Sequence, residues 1–280
     1  MSTNKLLTKY GLKYNPTLPA IPDEDIWTPP GFDGFFFRLE NIVLDGGFAM
    51  ITGEPGIGKS KTLQLLSSRL RQIGDIALGV MERPQSTLAD FYRELGDLFG
   101  ITLSISNRYG GFKALRSKWK AHISSTLFRP VLLIDEAQEM PSPCLNEIRL
   151  LGSVHFDSDC LLTTVLCGDT RLTDRLRETS LLPLGTRIRS RLILSPLSRD
   201  ELHSLLEHLL SAAGAPHLMT DDLKHTIVEH CAANPRILMQ QCAELFDHAV
   251  RKDLKVLDEK LFIDTFGALK RPTKSTRKHR

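Results

Sequence analysis

The chain has 280 residues, enough for one large or two modest domains, and its 41% hydrophobic and 25% charged content is that of an ordinary globular protein. No window approaches the ~18 uninterrupted apolar residues of a membrane helix and the N-terminus lacks a secretory apolar segment, so a cytoplasmic protein without a membrane span is expected. The net charge of +3 is uneven: the last eleven residues carry six basic side chains and no acid, which leaves −3 for the rest.

The five cysteines are scattered, odd in number and without a CxxC pair, which argues against a disulfide or zinc framework. The histidines form no HExxH, and His203 and His208 read as surface residues. No metal beyond Mg²⁺ is indicated.

Residues 1–30 are irregular and proline-rich, an extended N-terminal arm anchored by Trp27. Phe32 to Leu44 has a helical apolar face, and Gly47 to Thr52 is a first strand. A glycine-rich turn then leads into a helix beginning near Lys59, with an amphipathic run over Thr62–Ile73. Ile76 to Met81 reads as a second strand, Thr87 to Phe99 as a helix capped near Ser86-Thr87, and Ile101 to Gly111 as a loop. A helix over Phe112 to Leu127 precedes strand three, Val131 to Ile134; strand four is Leu161 to Leu166 and a short strand five is Leu192 to Leu194. Strands alternating with helices define an α/β domain over residues 31–195, a parallel sheet wrapped by helices. From residue 196 four helical segments follow without a strand signal: Asp200–Ala213, Asp221–Ala232, Arg236–Arg251 and Asp258–Leu269. They make a small all-α domain over 196–269, followed by the basic tail 270–280.

The stretch Gly53-Glu54-Pro55-Gly56-Ile57-Gly58-Lys59-Ser60-Lys61 has the P-loop spacing between a strand and a helix. Its glycines allow backbone N–H groups to face phosphate oxygens, Lys59 supplies a charge for the β- and γ-phosphates, and Ser60 is a Mg²⁺ ligand. Val131-Leu132-Leu133-Ile134-Asp135-Glu136 is a buried strand ending in two acids. Asp135 suits the Mg²⁺ of such a site, and Glu136 suits the general base that polarises water. The bland alternative is a pair of helix-capping acids. Asp169, after strand four, is a candidate sensor of the γ-phosphate or else a turn or cap residue. Arg187, Arg189 and Arg191 crowd the approach to the last strand. An arginine donated in trans to a γ-phosphate is a route to phosphoryl transfer, with Arg187 the first choice and Arg191 the second, against structural salt bridges. Arg236, opening a helix of the small domain, opposes the helix dipole and is a candidate to couple domain closure to the nucleotide.

The order GEPGIGKS, LLIDEAQEM, CGDTRL, TRIRSRL and NPRIL resembles the AAA+ ATPases, over roughly residues 30–267. In that family these are Walker A, Walker B, sensor one, the arginine finger and sensor two. The resemblance implies a P-loop NTPase (AAA+) sheet with a helical lid, ATP and Mg²⁺ as ligands, and sites completed between subunits of a ring or filament. The DEAQ form and the strand-end motifs look most like one branch, which holds ExeA-type secretion ATPases and the TnsC/MuB/IstB/TniB class of DNA-transposition regulators. Asp169 departs from relatives that carry Gln or Asn there. The branch implies a slow, switch-like ATPase that assembles on double-stranded DNA and recruits or stimulates a transposase, with a target-selection protein as a further partner. The alternative it implies is a secretion or envelope ATPase, or another protein-remodelling adaptor, without DNA binding. Arg83, Arg108, Lys113 and Arg116 are candidate phosphate contacts, weighed against an ordinary solvated face.

Overall fold

The computed structural model describes residues 2–83, 87–102, 108–156 and 158–267; the basic tail and the Ser86 part of the expected cap lie outside them. Two compact units result, one formed by 28–195 and the other by 1–27 together with 196 onward.

In the first unit, helix α2 (Phe32–Asp45) follows α1 (Ser2–Tyr10), which belongs to the other unit. Strand β1 (Gly47–Gly53), helix α3 (Lys59–Gln72), strand β2 (Leu78–Met81), helices α4 (Leu88–Leu98) and α5 (Arg108–Thr126) and strand β3 (Val131–Ile134) come next. Helix α6 (Ser142–Gly152) leads to a two-stranded ribbon of β4 (Ser153–Val154) and β5 (Asp159–Cys160). Strand β6 (Thr163–Gly168), helices α7 (Thr170–Arg175) and α8 (Leu182–Gly185) and strand β7 (Ile188–Leu194) complete it. The sheet order is β2-β3-β6-β1-β7 with every pairing parallel. Every residue of β1, β3 and β6 is buried, as a sheet covered on both faces requires. Phe91, Leu95, Leu115 and Trp119 of α4 and α5 fill the core against Ile134 and Met140.

Because β6 lies between β1 and β3, three loops emerge side by side at the carboxyl edge. Strands sit about 4.8 Å apart, so the ends of β1 and β3 are ~10 Å apart with the end of β6 between them. That is the place where open α/β sheets bind ligands.

The second unit holds α9 (Arg199–Ala212), α10 (Asp221–His230), α11 (Pro235–Arg251) and α12 (Glu259–Phe266) around a leucine-rich core. Ser198 and Glu201 form a reciprocal capping box at the start of α9. The N-terminal segment is only in part the extended arm that its prolines suggested: residues 11–30, which hold the prolines, are irregular apart from the turn Asp23–Asp25. It opens with helix α1, whose Leu6, with Leu12 just beyond, is buried in the core of this unit. Lys9 pairs with Asp253 at 2.8 Å and the Tyr10 hydroxyl donates to the Leu254 carbonyl at 2.9 Å. Nine residues are too few to hold a helix alone, so these contacts stabilise it. Nor are His203 and His208 plain surface histidines. His208 meets the Asp25 carbonyl at 2.9 Å, and His203 lies against the His225 ring with centroids 4.9 Å apart.

Other elements also differ in extent from expectation, β2 for one starting at Leu78 rather than Ile76. Helix α5 starts at Arg108 rather than Phe112, because packing of Leu115 and Trp119 and an anchor on Glu147 outweigh the cost of Gly110-Gly111, roughly 1 kcal/mol each. Strand β6 runs two residues later, in register with β1 from Gly47↔Thr163 to Thr52↔Gly168. Strand β7 begins at Ile188, so Arg189 and Arg191 lie within it: Ile188, Ser190, Leu192 and Leu194 face inward while the arginines and Ile193 face out.

Candidate functional site

Strand β1 delivers the loop 54–58 to the N-terminus of α3. Gly53 has no room for a side chain: a Cβ there would lie 2.7 Å from the Leu194 carbonyl oxygen and 2.8 Å from Ile57. Gly56 and Gly58 take φ of 86° and 105°, which L-residues avoid, and Gly58 caps α3 without a side-chain hydrogen bond. A Cβ at Gly58 would meet nothing within 4 Å, so the positive φ and not crowding calls for glycine there, and the helix start carries no side-chain cap. The first amides of α3 are therefore left uncapped, as a phosphate ligand needs them, with the helix dipole favouring negative charge. Lys59 is 8% exposed, and its ammonium spans the loop to the Glu54 carbonyl at 3.2 Å.

Asp135 and Glu136 emerge at the end of β3. The Asp135 amide donates to the Met81 carbonyl at 3.0 Å, and an Asp135 carboxylate oxygen accepts the Glu136 amide at 2.9 Å. Glu136 sits at φ 48°, ψ 38°, a left-handed backbone that costs a non-glycine residue ~1–3 kcal/mol and clusters at functional sites. Ser60 is exposed and Asp135 half-buried, and a hydroxyl with a carboxylate is the oxygen donor set that Mg²⁺ prefers. Lys59, the α3 amides, Ser60 and Asp135 thus fit a magnesium–nucleoside triphosphate.

Asp169 caps α7: its carboxylate accepts the Arg171 amide at 2.9 Å and pairs with the Arg171 guanidinium at 2.7 Å, while Arg171 also reaches Glu139. Partial burial raises the Asp169 pKa, but the Arg171 contacts outweigh it and hold the carboxyl below its usual range. The side chain is thus engaged as a cap, the alternative that the turn-like sequence already offered.

Two neighbours escaped the sequence reading. Gln138 is 5% exposed and bonds both to Glu136 and to the end of β6. Cys167 reaches the site through register, since Ile134 pairs with Leu166. Burial first, then the adjacent Asp135 carboxylate, push its thiol well above the ordinary value, so it stays protonated. No pattern in the Ala137-Gln138-Glu139-Met140 turn, which carries an acid as well as the Gln, marked the first, and the second had no signal either.

The arginines lie elsewhere. Register pairs Ile188 with Phe48 and Leu194 with Gly53, so Arg187 sits at the amino edge of the sheet. Six strand residues at about 3.3 Å each separate that edge from the P-loop, ~20 Å, far beyond the reach of an arginine. There Arg187 donates to the Pro183 carbonyl and lines a cleft of about 550 Å³ with Arg129, Arg149 and Arg189, facing Asp45 and Asp159. The Arg149 Nε is buried with no hydrogen-bond partner among the described residues. Arg189 binds the Gly46 carbonyl and Asp45, and Arg191 lies 3.4 Å from the Gly185 carbonyl. In the helical unit, Arg236 is exposed in the first turn of α11, its amide received by the capping Asn234 side chain at 2.9 Å.

Two of the four candidate DNA contacts serve the protein's own body. Arg108 pairs with Glu147, which is 2% exposed and also accepts the Tyr92 hydroxyl at 2.5 Å. Arg116 donates to the Ser153 carbonyl at 2.6 Å and the Leu150 carbonyl at 3.2 Å, completing the C-terminus of α6. Arg83 and Lys113 are exposed.

The sheet order, the loop on α3 and the paired acids one strand away define the P-loop AAA+ fold. Residues 43–176 match a family model described as "AAA domain". The chain is 30% identical over 201 residues to general secretion pathway protein A of Aeromonas hydrophila, a match covering 70% of this chain and 36% of that protein. It therefore spans about a third of that relative's length. The Aeropyrum pernix ORC2 protein, in complexes with ADPNP and ADP, superposes with a TM-score of 0.69 at 15% identity, over 90% of this chain and 71% of that one. Drosophila ORC bound to DNA gives 0.67 at 17%, over 98% and 68%. At such identities the structural likeness establishes the fold alone. Among the described residues no helix is long and apolar enough to cross a membrane.

Proposed function

We propose that the protein is an ATP-switched AAA+ ATPase whose site is shared between copies of the chain, and that it assembles on double-stranded DNA as a regulator of transposition. The observation that carries the shared site is the ~20 Å of strand between Arg187 and its own P-loop. An arginine so placed cannot reach the triphosphate of its own chain, and in this reading it serves that of another copy. Lys59 and the α3 amides bind the β- and γ-phosphates, and Ser60 and Asp135 hold Mg²⁺, which neutralises phosphate charge during transfer. Glu136 takes the proton of the attacking water, and Arg187 of the neighbour stabilises the charge that develops. Arg236 reports the nucleotide to the helical unit.

Mixing variants tests the sharing. Lys59→Ala and Arg187→Ala proteins should each be nearly inactive, while an equimolar mixture should regain roughly a tenth or more of wild-type turnover, because mixed neighbours contain intact sites. A mixture as inactive as its parts contradicts sharing.

Support for duplex DNA comes from exposed Arg83 and Lys113, from the basic tail, and from the DNA-bound ORC neighbour. With an ATP analogue at low salt, fluorescence anisotropy should show binding to nonspecific duplex that weakens steeply as salt rises. No binding under those conditions would overturn the DNA reading. The second reading, a secretion-type adaptor acting on a protein partner, is favoured by the match to general secretion pathway protein A and by the commitment of Arg108 and Arg116 to internal contacts.

A further inference from the structure

Gln138 stands three residues past Asp135 in the short turn that follows β3, and almost none of it reaches solvent. Its side-chain amide has two partners of opposite kind. The Nε2 group donates to Glu136 Oε2, and Oε1 accepts the backbone N–H of Asp169 at 3.1 Å. A carboxylate can only accept and a backbone amide can only donate, so the two contacts together fix which way the Gln138 amide faces.

Gln138 is itself held from α7. Arg175 donates to the Gln138 carbonyl through one nitrogen and to the Ser142 hydroxyl through the other at 3.1 Å. The facing residue, Gly168, closes the cage. A Cβ there would lie 2.5 Å from Gln138 Oε1 and 3.1 Å from Leu172, so any side chain at 168 would drive Gln138 out of place.

We infer that Gln138 is a positioning residue for Glu136, a strut that sets the orientation of the carboxylate from the β6–α7 junction and makes its aim depend on where that junction stands. The inference rests on the ATPase reading above. The left-handed backbone of Glu136, held by Asp135 through its amide, fixes where the side chain starts, and the Gln138 contact fixes where its carboxylate ends. The two carboxylate oxygens then differ: one is engaged by Gln138, and the other is left for the proton it must take. Asp169 sits at the junction, so any movement of that cap on nucleotide binding or loss is carried to Glu136 through one side chain.

The test compares wild type, Gln138→Leu and Gln138→His in steady-state ATP hydrolysis at pH 8, with affinity for an ATP analogue and thermal stability measured in parallel. Leucine keeps the volume and removes both hydrogen bonds. It should lower kcat by roughly 10- to 100-fold while KM and analogue affinity stay within about 3-fold, as expected for a group that acts on the transition state. Neutral histidine offers one donor and one acceptor and should recover at least about 5-fold of that loss. Gly168→Ala should reproduce the leucine phenotype, and the double variant should be no worse than Gln138→Leu alone, since both remove one interaction. A leucine variant within 2-fold of wild type, or one that loses kcat and nucleotide affinity together, overturns the proposal. If the leucine variant does not fold, hydrogen exchange at the wild-type Asp169 amide decides: protection supports the strut, and exchange at open-loop rates refutes it. A wild type that hydrolyses no ATP sinks the ATPase reading instead, and the same amide then still reports whether the Gln138 contact exists.

Discussion

Lys59→Ala is expected to lower ATP affinity by at least 100-fold, about 2.7 kcal/mol, in a titration with a fluorescent analogue. The ammonium is nearly buried, and a single carbonyl at 3.2 Å is its hydrogen-bond partner among the described residues. A buried charge so sparsely partnered costs the apo-protein desolvation energy. The alanine protein should therefore melt at the wild-type temperature or above it. That pairing separates a binding defect from a folding defect: a variant that loses affinity and stability together would show Lys59 to be structural. A variant that binds ATP within about 3-fold of wild type would remove the loop from the role given to it.

Glu136→Gln should leave ATP affinity within about 3-fold of wild type and lower kcat by 100-fold or more, the range by which general bases contribute. The exchange preserves shape but leaves no group able to take a proton from water. One contact is weakened or lost locally, because Gln138 Nε2 would then face either an amide oxygen, a weaker acceptor, or an amide nitrogen. The apo-protein should be little affected, since Glu136 is only half-buried and its backbone amide is held independently by Asp135 at 2.9 Å. Quenched-flow hydrolysis distinguishes slow chemistry from slow product release. Normal single-turnover chemistry in this variant would assign the base elsewhere.

What could be read before the structure divides along a physical line. The P-loop and the acids after β3 were legible because their chemistry depends on residue types at fixed local spacing, next to strands with an unbroken apolar run. Glycine at 56 and 58 answers to a positive φ, which the loop spacing implies, whereas glycine at 53 answers also to the distant Leu194 on the neighbouring strand. The parallel sheet followed by helices was legible from period and punctuation alone. Elements decided by distant partners were not. Helix α1 exists because Leu6, Lys9 and Tyr10 meet the helical core of their own unit, more than 200 residues away in sequence. The start of β7 was set too late because alternating arginines were read as a functional cluster, when their alternation was itself the strand signal. Gln138 and Cys167 join the site through sheet register and turn geometry, which no spacing rule reveals. Arg108 and Arg116 look like free cations in sequence, and only packing shows that Glu147 and the end of α6 use them.

The central claim is that ATP, while unhydrolysed, completes an interface between copies of this chain. Sedimentation velocity of the Glu136→Gln protein tests it most directly, because this variant should bind ATP and hold it. With ATP and Mg²⁺ the protein should sediment as an assembly of several 31.4 kDa chains, and with ADP it should return to smaller species. Identical sedimentation with ATP and ADP, at concentrations where both are bound, would contradict the claim.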